Sequence, residues 1–515
     1  MNWIVEANMK VTLASLSEFK LRALRLGIAL GLAMTLLGLL GAGASQPVSA
    51  RSFRVGLVAD WRSVSDGGFN WASYQGLLRA QRELGVVGAV YTSPSQADYL
   101  PNLQRCVADG NDLCISVGFL TADAISQTAA ANPGTLFADV DFYWQAYPAN
   151  LRGITFAETQ AGYMAGALAG LMTHSDVVGA VSGSQIPPVE RFVEPYRRGA
   201  GCANPKVTTL ITYTGSFVNP ELGAQIARQM MAQRADVIFG VGGSTGSGAV
   251  LAATQSGAWG IGIDTDYYYT VFMTGTVPGA DKLLTSALKR VDNAVFATIA
   301  DAASGAFTSG TAVYGLAADG VGLAPFHESG PFIPSTVRGR LERIKQDLIG
   351  GSITVDGPCP PYMNSAQILA LPAATTTLTG SGGLATLVFS SETFGETSVI
   401  TYTPQMPVNP GRDLAGIGLF FELKATSQAA GAPIQPDKAY TLTISYLDQE
   451  VVAAQITNEK ALALYYRDGN QWLKEPSSKV DSVANIITAT PNHFSQWAVL
   501  SEKRPVFLPT VVRSK

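Results

Sequence analysis

The stretch ADVIFGVGGSTGSGAVLAA, residues 235–253, decides the fold. It opens with a short apolar run, turns through glycines and closes on small apolar residues. A continuous apolar run that ends in a glycine turn and enters a helix is the repeating unit of parallel sheets. The strand is buried on both faces and the helix brings the chain back. The same texture recurs on either side. FRVGLVAD, DLCISVGF, TLFADVD, VVGAVSG, KVTTLITYTG and WGIGID read as strands, with helical stretches such as NWASYQGLLRAQREL and ADAISQTAAAN between them. This alternation runs from Phe53 to about Val355 and predicts parallel sheets covered by helices. Ligands of such sheets sit beyond the strand C-termini. Asp60, Gly118, Asp141, Gly242 and Asp264 fall at those points.

The glycine turn admits three chemical readings. Gly242-Gly243-Ser244-Thr245-Gly246 satisfies G-x-S-x-G, the nucleophile elbow of hydrolases, which needs an acid and a histidine later in the chain. Of His174, His327 and His493, the first precedes the serine and the last lies in a β-rich segment, so His327 alone fits the order. A phosphate loop needs a lysine after its last glycine, and this loop has none. The scattered histidines and the absence of Cys/His spacing give no metal site. What remains is a glycine loop whose backbone approaches a ligand closely.

The chain has 515 residues, 47% hydrophobic and 14% charged. This excludes a disordered chain or a polyelectrolyte and predicts more than one domain. A net charge of −4 with no basic block beyond the N-terminus excludes a nucleic-acid footprint. Lys20, Arg22 and Arg25 precede an apolar run, Leu26 to Ala42, and the small-residue exit Val48-Ser49-Ala50. Residues 1–50 therefore read as a signal peptide or an uncleaved anchor, and the rest as exported. Cys106, Cys114, Cys202 and Cys359 permit two disulfides, of which Cys106–Cys114 is the easiest to close; four thiols are the alternative.

After Cys359 the texture changes. Residues 359–374 read as a linker, and AATTTLTGSGG as a joint rich in Thr, Gly and Ser. LATLVFSS, SVITYTP, IGLFFELKA, AYTLTISYL, LALYYRDGNQW and HFSQWAVL are short β runs separated by turns. They predict a β-sandwich-like domain over about 375–502, with a tail at 503–515. Residues 51–358 are expected to fold without it.

Six ordered motifs carry a resemblance over about residues 53–357. They are SQIPPVERFVEPYRRGA, YTGSFVNPELGAQIA, the stretch at 235–253, GIGIDTD, LLTSALKRVDNAV and YGLAADGVGLAPF. Together they resemble the basic membrane protein family of ABC-transporter substrate-binding proteins, typified by a purine nucleoside receptor lipoprotein. The resemblance implies an α/β fold of the type I periplasmic-binding-protein kind, two doubly wound lobes joined by three crossover strands. It implies a first site loop of Asp60, Ser65, Asp66, Phe69 and Asn70. Phe69 and Phe217 stack on the two faces of a purine. Asp264 and Lys289 hold the ribose, and Gly242 and Gly243 pass the sugar. Asp141 faces the base, and Phe119 and Asp123 are further candidates. Each residue also has a plainer reading. Phe69 and Phe217 serve as core, Asp66 and Asp264 as caps, and Lys289 as a solvated charge on an amphipathic helix. The function implied is a binding protein, not an enzyme and without a cofactor. It is a monomer at the membrane or cell surface that delivers a purine nucleoside to ABC permease and ATPase subunits. A sensory or adhesion protein using the same cleft is the alternative. The chain departs from the family at Ser65-Asp66, where asparagine and aspartate are usual, at the bulky WRSV beside them, and in lacking the lipoprotein cysteine. The close ITATPNHFSQWAVL resembles that of ZU5-type sandwiches.

Overall fold

The computed structural model describes residues 51–503 except 61–63, 66, 361–364 and 381–382. The export segment, Trp61, Asp66 and the tail from residue 504 lie outside the described residues.

The first sheet takes β1 (Arg54–Ala59), β2 (Val87–Thr92), β3 (Leu113–Val117), β4 (Leu136–Val140) and β5 (Leu151–Phe156). Between them lie α1 (Phe69–Leu84), α2 (Tyr99–Ala108) and α3 (Ala122–Ala131). The second lobe runs through α4 (Glu158–Met172), β6 (Val177–Ser182), α5 (Pro187–Ala203), β7 (Thr208–Tyr213) and α6 (Pro220–Ala232). It continues with β8 (Val237–Val241), α7 (Gly243–Gln255), β9 (Trp259–Asp264), the short α8 (Tyr267–Thr270) and β10 (Leu283–Lys289). Then α9 (Val291–Ser304) and β11 (Gly310–Tyr314) return to the first lobe, and β12 (Val321–Leu323) to the second.

The strand orders are β11-β5-β4-β3-β1-β2 and β12-β10-β9-β8-β6-β7, parallel throughout except for β12 on β10. Every residue of β3 and β8 is buried, as strands covered by helices on both faces require. Among the described residues the chain passes between the sheets three times: from β5 to α4, from β10 to α9, and from β11 to β12. This is the two-lobed architecture that the resemblance implies. Within the second lobe α4 and α5 meet backbone to backbone. A Cβ at Gly166 would fall 1.9 Å from the Tyr196 carbonyl oxygen, so only glycine allows the approach.

Both disulfides form, Cys106–Cys114 and Cys202–Cys359. The second ties the end of α5 to the segment leaving the lobes.

The β-rich region begins at Ala366, earlier than the expected 375. Its strands are β13 (Ala366–Ala370), β14 (Thr376–Gly380), β15 (Ala385–Phe389), β16 (Ser398–Pro404), β17 (Leu414–Ser427), β18 (Pro433–Ile434) and β19 (Thr441–Ser445). They continue through β20 (Ala463–Asp468), β21 (Gln471–Lys474), β22 (Lys479–Asp481), β23 (Ile486–Ala489) and β24 (Gln496–Glu502). The expected joint is itself a strand, because β14 places Leu378 in the core and pairs with β15. Two antiparallel sheets, β13-β16-β17-β24-β20-β21 and β14-β15-β19-β23-β22, enclose one apolar cluster that includes Phe389, Tyr402, Phe421, Leu442 and Trp497.

This sandwich is joined to the second lobe by more than a tether. Helix α10 (Ser335–Ile349) lies along β17 and against α4. The Arg340 guanidinium donates twice to Gly418 O, at 3.2 and 2.7 Å. Arg343 meets Glu450, on the helix α11 (Asp448–Ala453), in a two-pronged pair of 2.8 and 2.6 Å. Both partners are buried, and breaking such a pair by removing one member costs about 3–5 kcal/mol. Glu450→Ala is therefore expected to lower stability by about that amount in urea denaturation. A loss below about 1 kcal/mol would mean that the pair is solvated as a surface bridge is.

Candidate functional site

A narrow cavity of about 80 Å³ lies between the strand ends of the two sheets. The first lobe contributes Asp60, which follows β1, Phe69 at the start of α1, Gly118, Phe119 and Leu120 after β3, and Asp141 after β4. The second contributes Phe217, Gly242 and Gly243 around β8, Asp264 ending β9 and Lys289 ending β10. The lobes touch across the mouth, where Thr265 Oγ1 donates to Gly67 O at 2.9 Å. A ligand therefore enters when the lobes separate.

The glycines after β8 answer the question raised by G-x-S-x-G. Gly242 has φ 95° and Gly243 φ 62°, a left-handed backbone that favours glycine. A Cβ on Gly242 would lie 2.9 Å from the Phe217 ring, and one on Gly243 would lie 2.2 Å from the Phe217 carbonyl oxygen. The glycines form the seat on which Phe217 rests. Ser244 donates to that same carbonyl at 3.4 Å. His327 is hydrogen-bonded to Asp266 at 2.7 Å and stacked on Tyr268. Among the described residues no hydrogen bond joins it to Ser244, whose hydroxyl is turned to the Phe217 carbonyl. Among the described residues no cluster of His, Cys, Asp and Glu is placed to hold a metal ion.

The carboxylates at the strand ends are held in unusual backbone. Asp141 has φ 83° and Asp264 φ 63°, a region that aspartate tolerates better than most residues. Asp60 is buried and accepts from Asn70 Nδ2 at 2.7 Å, so Asn70 supports the site from behind it.

Lys289 requires a correction. The spacing of LLTSALKRVDNAV suggests an amphipathic helix, but pairing with β9 and β12 makes Lys289 the last residue of a strand. It is not solvated. Its side chain is 2% exposed, with Nζ 2.5 Å from Asp141 and 3.0 Å from Glu158. Glu158 also takes Arg191 at 2.9 and 3.2 Å. The Lys289 ammonium lies 5.2 Å from the Phe69 ring centroid and 5.1 Å from that of Phe156. Burial disfavours the charge on Lys289, but Asp141, Glu158 and Asp264 outweigh it and hold its pKa above the ordinary lysine value. Burial raises Asp141 against the pull of Lys289. Burial also acts to raise Glu158, yet Lys289 and Arg191 together keep it below the usual range. An ammonium has three N–H donors, so two carboxylates leave one for the cavity.

Of the other expected site residues, Phe119 lines the cavity, its ring 5.1 Å from that of Phe142. Ser65 and Asp123 are not part of the lining, and the first turn of α3 carries Asp123 outward to solvent. Asp66 lies outside the described residues. Ile186, Pro188, Val189 and Phe192, at the start of α5, also line the cavity, although no charge or glycine marks them in the sequence. The strand-to-helix turn IPPVERF, with proline at the first helical positions, is the signal that could find them.

The fold and this cleft define a two-lobed solute-binding protein. Residues 53–353 match the family described as ABC transporter substrate-binding protein PnrA-like, and the chain belongs to that family, the Bmp family. It is 33% identical over 322 residues to the CD4+ T-cell-stimulating antigen of Listeria monocytogenes, covering 60% of this chain and 89% of that one. It is 29% identical over 316 residues to the ABC transporter nucleoside-binding protein BmpA of Lactococcus lactis, covering 59% and 88%. A solved solute-binding protein of an ABC transporter system from Aeropyrum pernix superposes with a TM-score of 0.53 at 27% identity, covering 59% of this chain and 92% of its own. Proteins of this family bind solutes outside the cytoplasm for a permease and are not enzymes. Among the described residues no helix is long and apolar enough to cross a membrane.

Lys289→Ala is expected to leave Asp141 and Glu158 buried beside each other with Arg191 alone to offset them. The loss should be about 3–5 kcal/mol by chemical denaturation, in the range found for broken buried pairs. Little change would mean that water replaces the ammonium in the cleft.

Proposed function

We propose that this protein binds a purine nucleoside between its lobes and delivers it to an ABC permease with its ATPase subunits. One observation carries the reading: Phe69 and Phe217, from opposite lobes, line a single cavity with Asp264 and Lys289. A nucleoside has two aromatic faces, a polar edge and a cis-diol. Aromatic rings that take the two faces contribute about 1–3 kcal/mol per base, judged by alanine substitution. A carboxylate accepts from both hydroxyls of the diol, each charged hydrogen bond contributing about 1.5–3 kcal/mol. The nucleoside-binding relative from Lactococcus lactis supports this ligand class. Asp264 takes the diol, the third N–H of Lys289 reaches a sugar oxygen, and Asp141 and Asp60 face the base. Gly242 and Gly243 let the sugar approach the backbone.

Titration calorimetry with adenosine, guanosine, inosine and hypoxanthine tests the reading. Phe69→Ala and Phe217→Ala should each weaken nucleoside binding by about 1–3 kcal/mol, roughly five- to a hundred-fold. Asp264→Asn should penalise the ribosides over free hypoxanthine, because a neutral amide has a single acceptor oxygen to offer the diol. Ser244→Ala should leave affinity almost unchanged. A wild-type protein that ignores every purine yet binds a sugar or an amino acid would overturn the ligand class. Full affinity in both phenylalanine variants would reject the clamp.

A further inference from the structure

Asp139 is a buried carboxyl with no part in the ligand contacts described above. It lies within β4 with no exposed surface. Phe137, two residues earlier on the same face, packs with Ile125 and Ala129 of α3. Ser116, its register partner on β3, donates to Asp139 Oδ1. Among the described residues the other oxygen, Oδ2, is buried without a hydrogen-bond partner. Thr121 Oγ1 lies 2.7 Å from Asp139 Oδ1 and 2.7 Å from Gly118 O. A threonine hydroxyl has one hydrogen and cannot donate to both. The conflict disappears when the carboxyl carries a proton. Asp139 then donates to Thr121 Oγ1, and Thr121 donates to the Gly118 carbonyl.

We propose that Asp139 is a positioning residue for the ligand cleft: as a neutral carboxylic acid it holds, through Thr121, the turn of Gly118, Phe119 and Leu120 that lines the cavity. Ionisation turns the Thr121 hydroxyl hydrogen toward Asp139, leaves the Gly118 carbonyl with the Thr121 backbone N–H alone, at 3.0 Å, and places a second charge near Asp141. Burial, opposed in part by the Ser116 and Thr121 hydroxyls and aided by Asp141, pushes the Asp139 pKa up to about 8. Asp141 is the charged group that acts on it. Asp60 lies beyond Gly118, and Asp123 on α3 and Arg105 on α2 are exposed. The effect on binding rests on the cleft being the nucleoside site; the protonation of Asp139 does not.

Wild type, Asp139→Asn and Asp139→Leu separate the two parts. The folded pKa lies above the ordinary aspartate value of 3.8, so the folded state holds the extra proton and wild type loses stability as pH rises from about 4 to about 8. The melting temperature of Asp139→Asn should therefore gain on that of wild type across this window and hold its lead above it. The infrared difference between wild type and Asp139→Asn should contain the band of a protonated carboxyl below pH about 8 and lose it above. A constant melting difference, or no such band, overturns the proposal whether or not any nucleoside binds. Inosine affinity of wild type should fall several-fold as pH passes about 8. Asp139→Asn, whose amide donates to Thr121 and cannot ionise, should keep the low-pH affinity throughout, and Asp139→Leu should bind weakly at every pH. An Asn variant that falls in step with wild type rejects the positioning role. If no nucleoside binds at all, the ligand reading fails, and amide exchange at residues 118–122 decides the positioning instead. Exchange should accelerate above pH about 8 in wild type relative to Asp139→Asn, and equal rates reject it.

Discussion

A lysine ammonium leaves water only where anions replace its hydration shell, and Lys289 draws those anions from both sides of the cleft. Asp141 comes from the first lobe. Glu158 opens the helix that follows the first crossing between lobes, and it is held in turn by Arg191 of the second lobe. The placement of the strand ends follows from this requirement. β10 stops where its last side chain meets both carboxylates, and the left-handed backbone at Asp141 turns its carboxylate toward them. Lys289 and Arg191 offset the charges of Asp141 and Glu158. The rings of Phe69 and Phe156 flank the ammonium and complete its surroundings.

The parallel sheets are legible in the sequence because a strand buried on both faces has no choice of composition. Val237 to Val241 could hardly be anything else. The residues at the strand ends are legible for a related reason: a charged residue at the end of an apolar run has nowhere to go but the crevice. Phe69, Phe217, Asp141 and Asp264 all line it. Lys289 reads as helical because its neighbours are apolar at a spacing that suits a helix. The strand exists through pairing with β9 and β12, far off in sequence. Glu158, at the head of a small-residue helix, gives no local sign of its role, since its partner Arg191 comes from another helix. Thr376 to Gly380 looks like a joint by composition, yet threonine is β-branched and one buried leucine is enough to commit the segment to a sheet. The Cys202–Cys359 bridge, closing a long loop, carries no local signal.

Two of the contacts beyond the sheets work in different ways. The α4–α5 seam is glycine against backbone, which fixes distance through shape alone. The α10 contact with the sandwich uses guanidinium groups on a carbonyl and a carboxylate, which fixes orientation through direction. Buried pairs of the second kind add little net stability compared with well-packed apolar residues. Their geometry is demanding, however, and Arg343 and Glu450 meet in one arrangement only, with Glu450 also capping the Leu447 backbone.

That anchorage has a mechanical consequence. Helix α10 and the disulfide both grip the second lobe, so the sandwich adds its bulk to one side of the cleft. Relative rotation of two bodies in solution is shared in inverse proportion to their drag. The larger side turns less, and the greater part of the opening and shutting of the cleft is the swing of the smaller lobe.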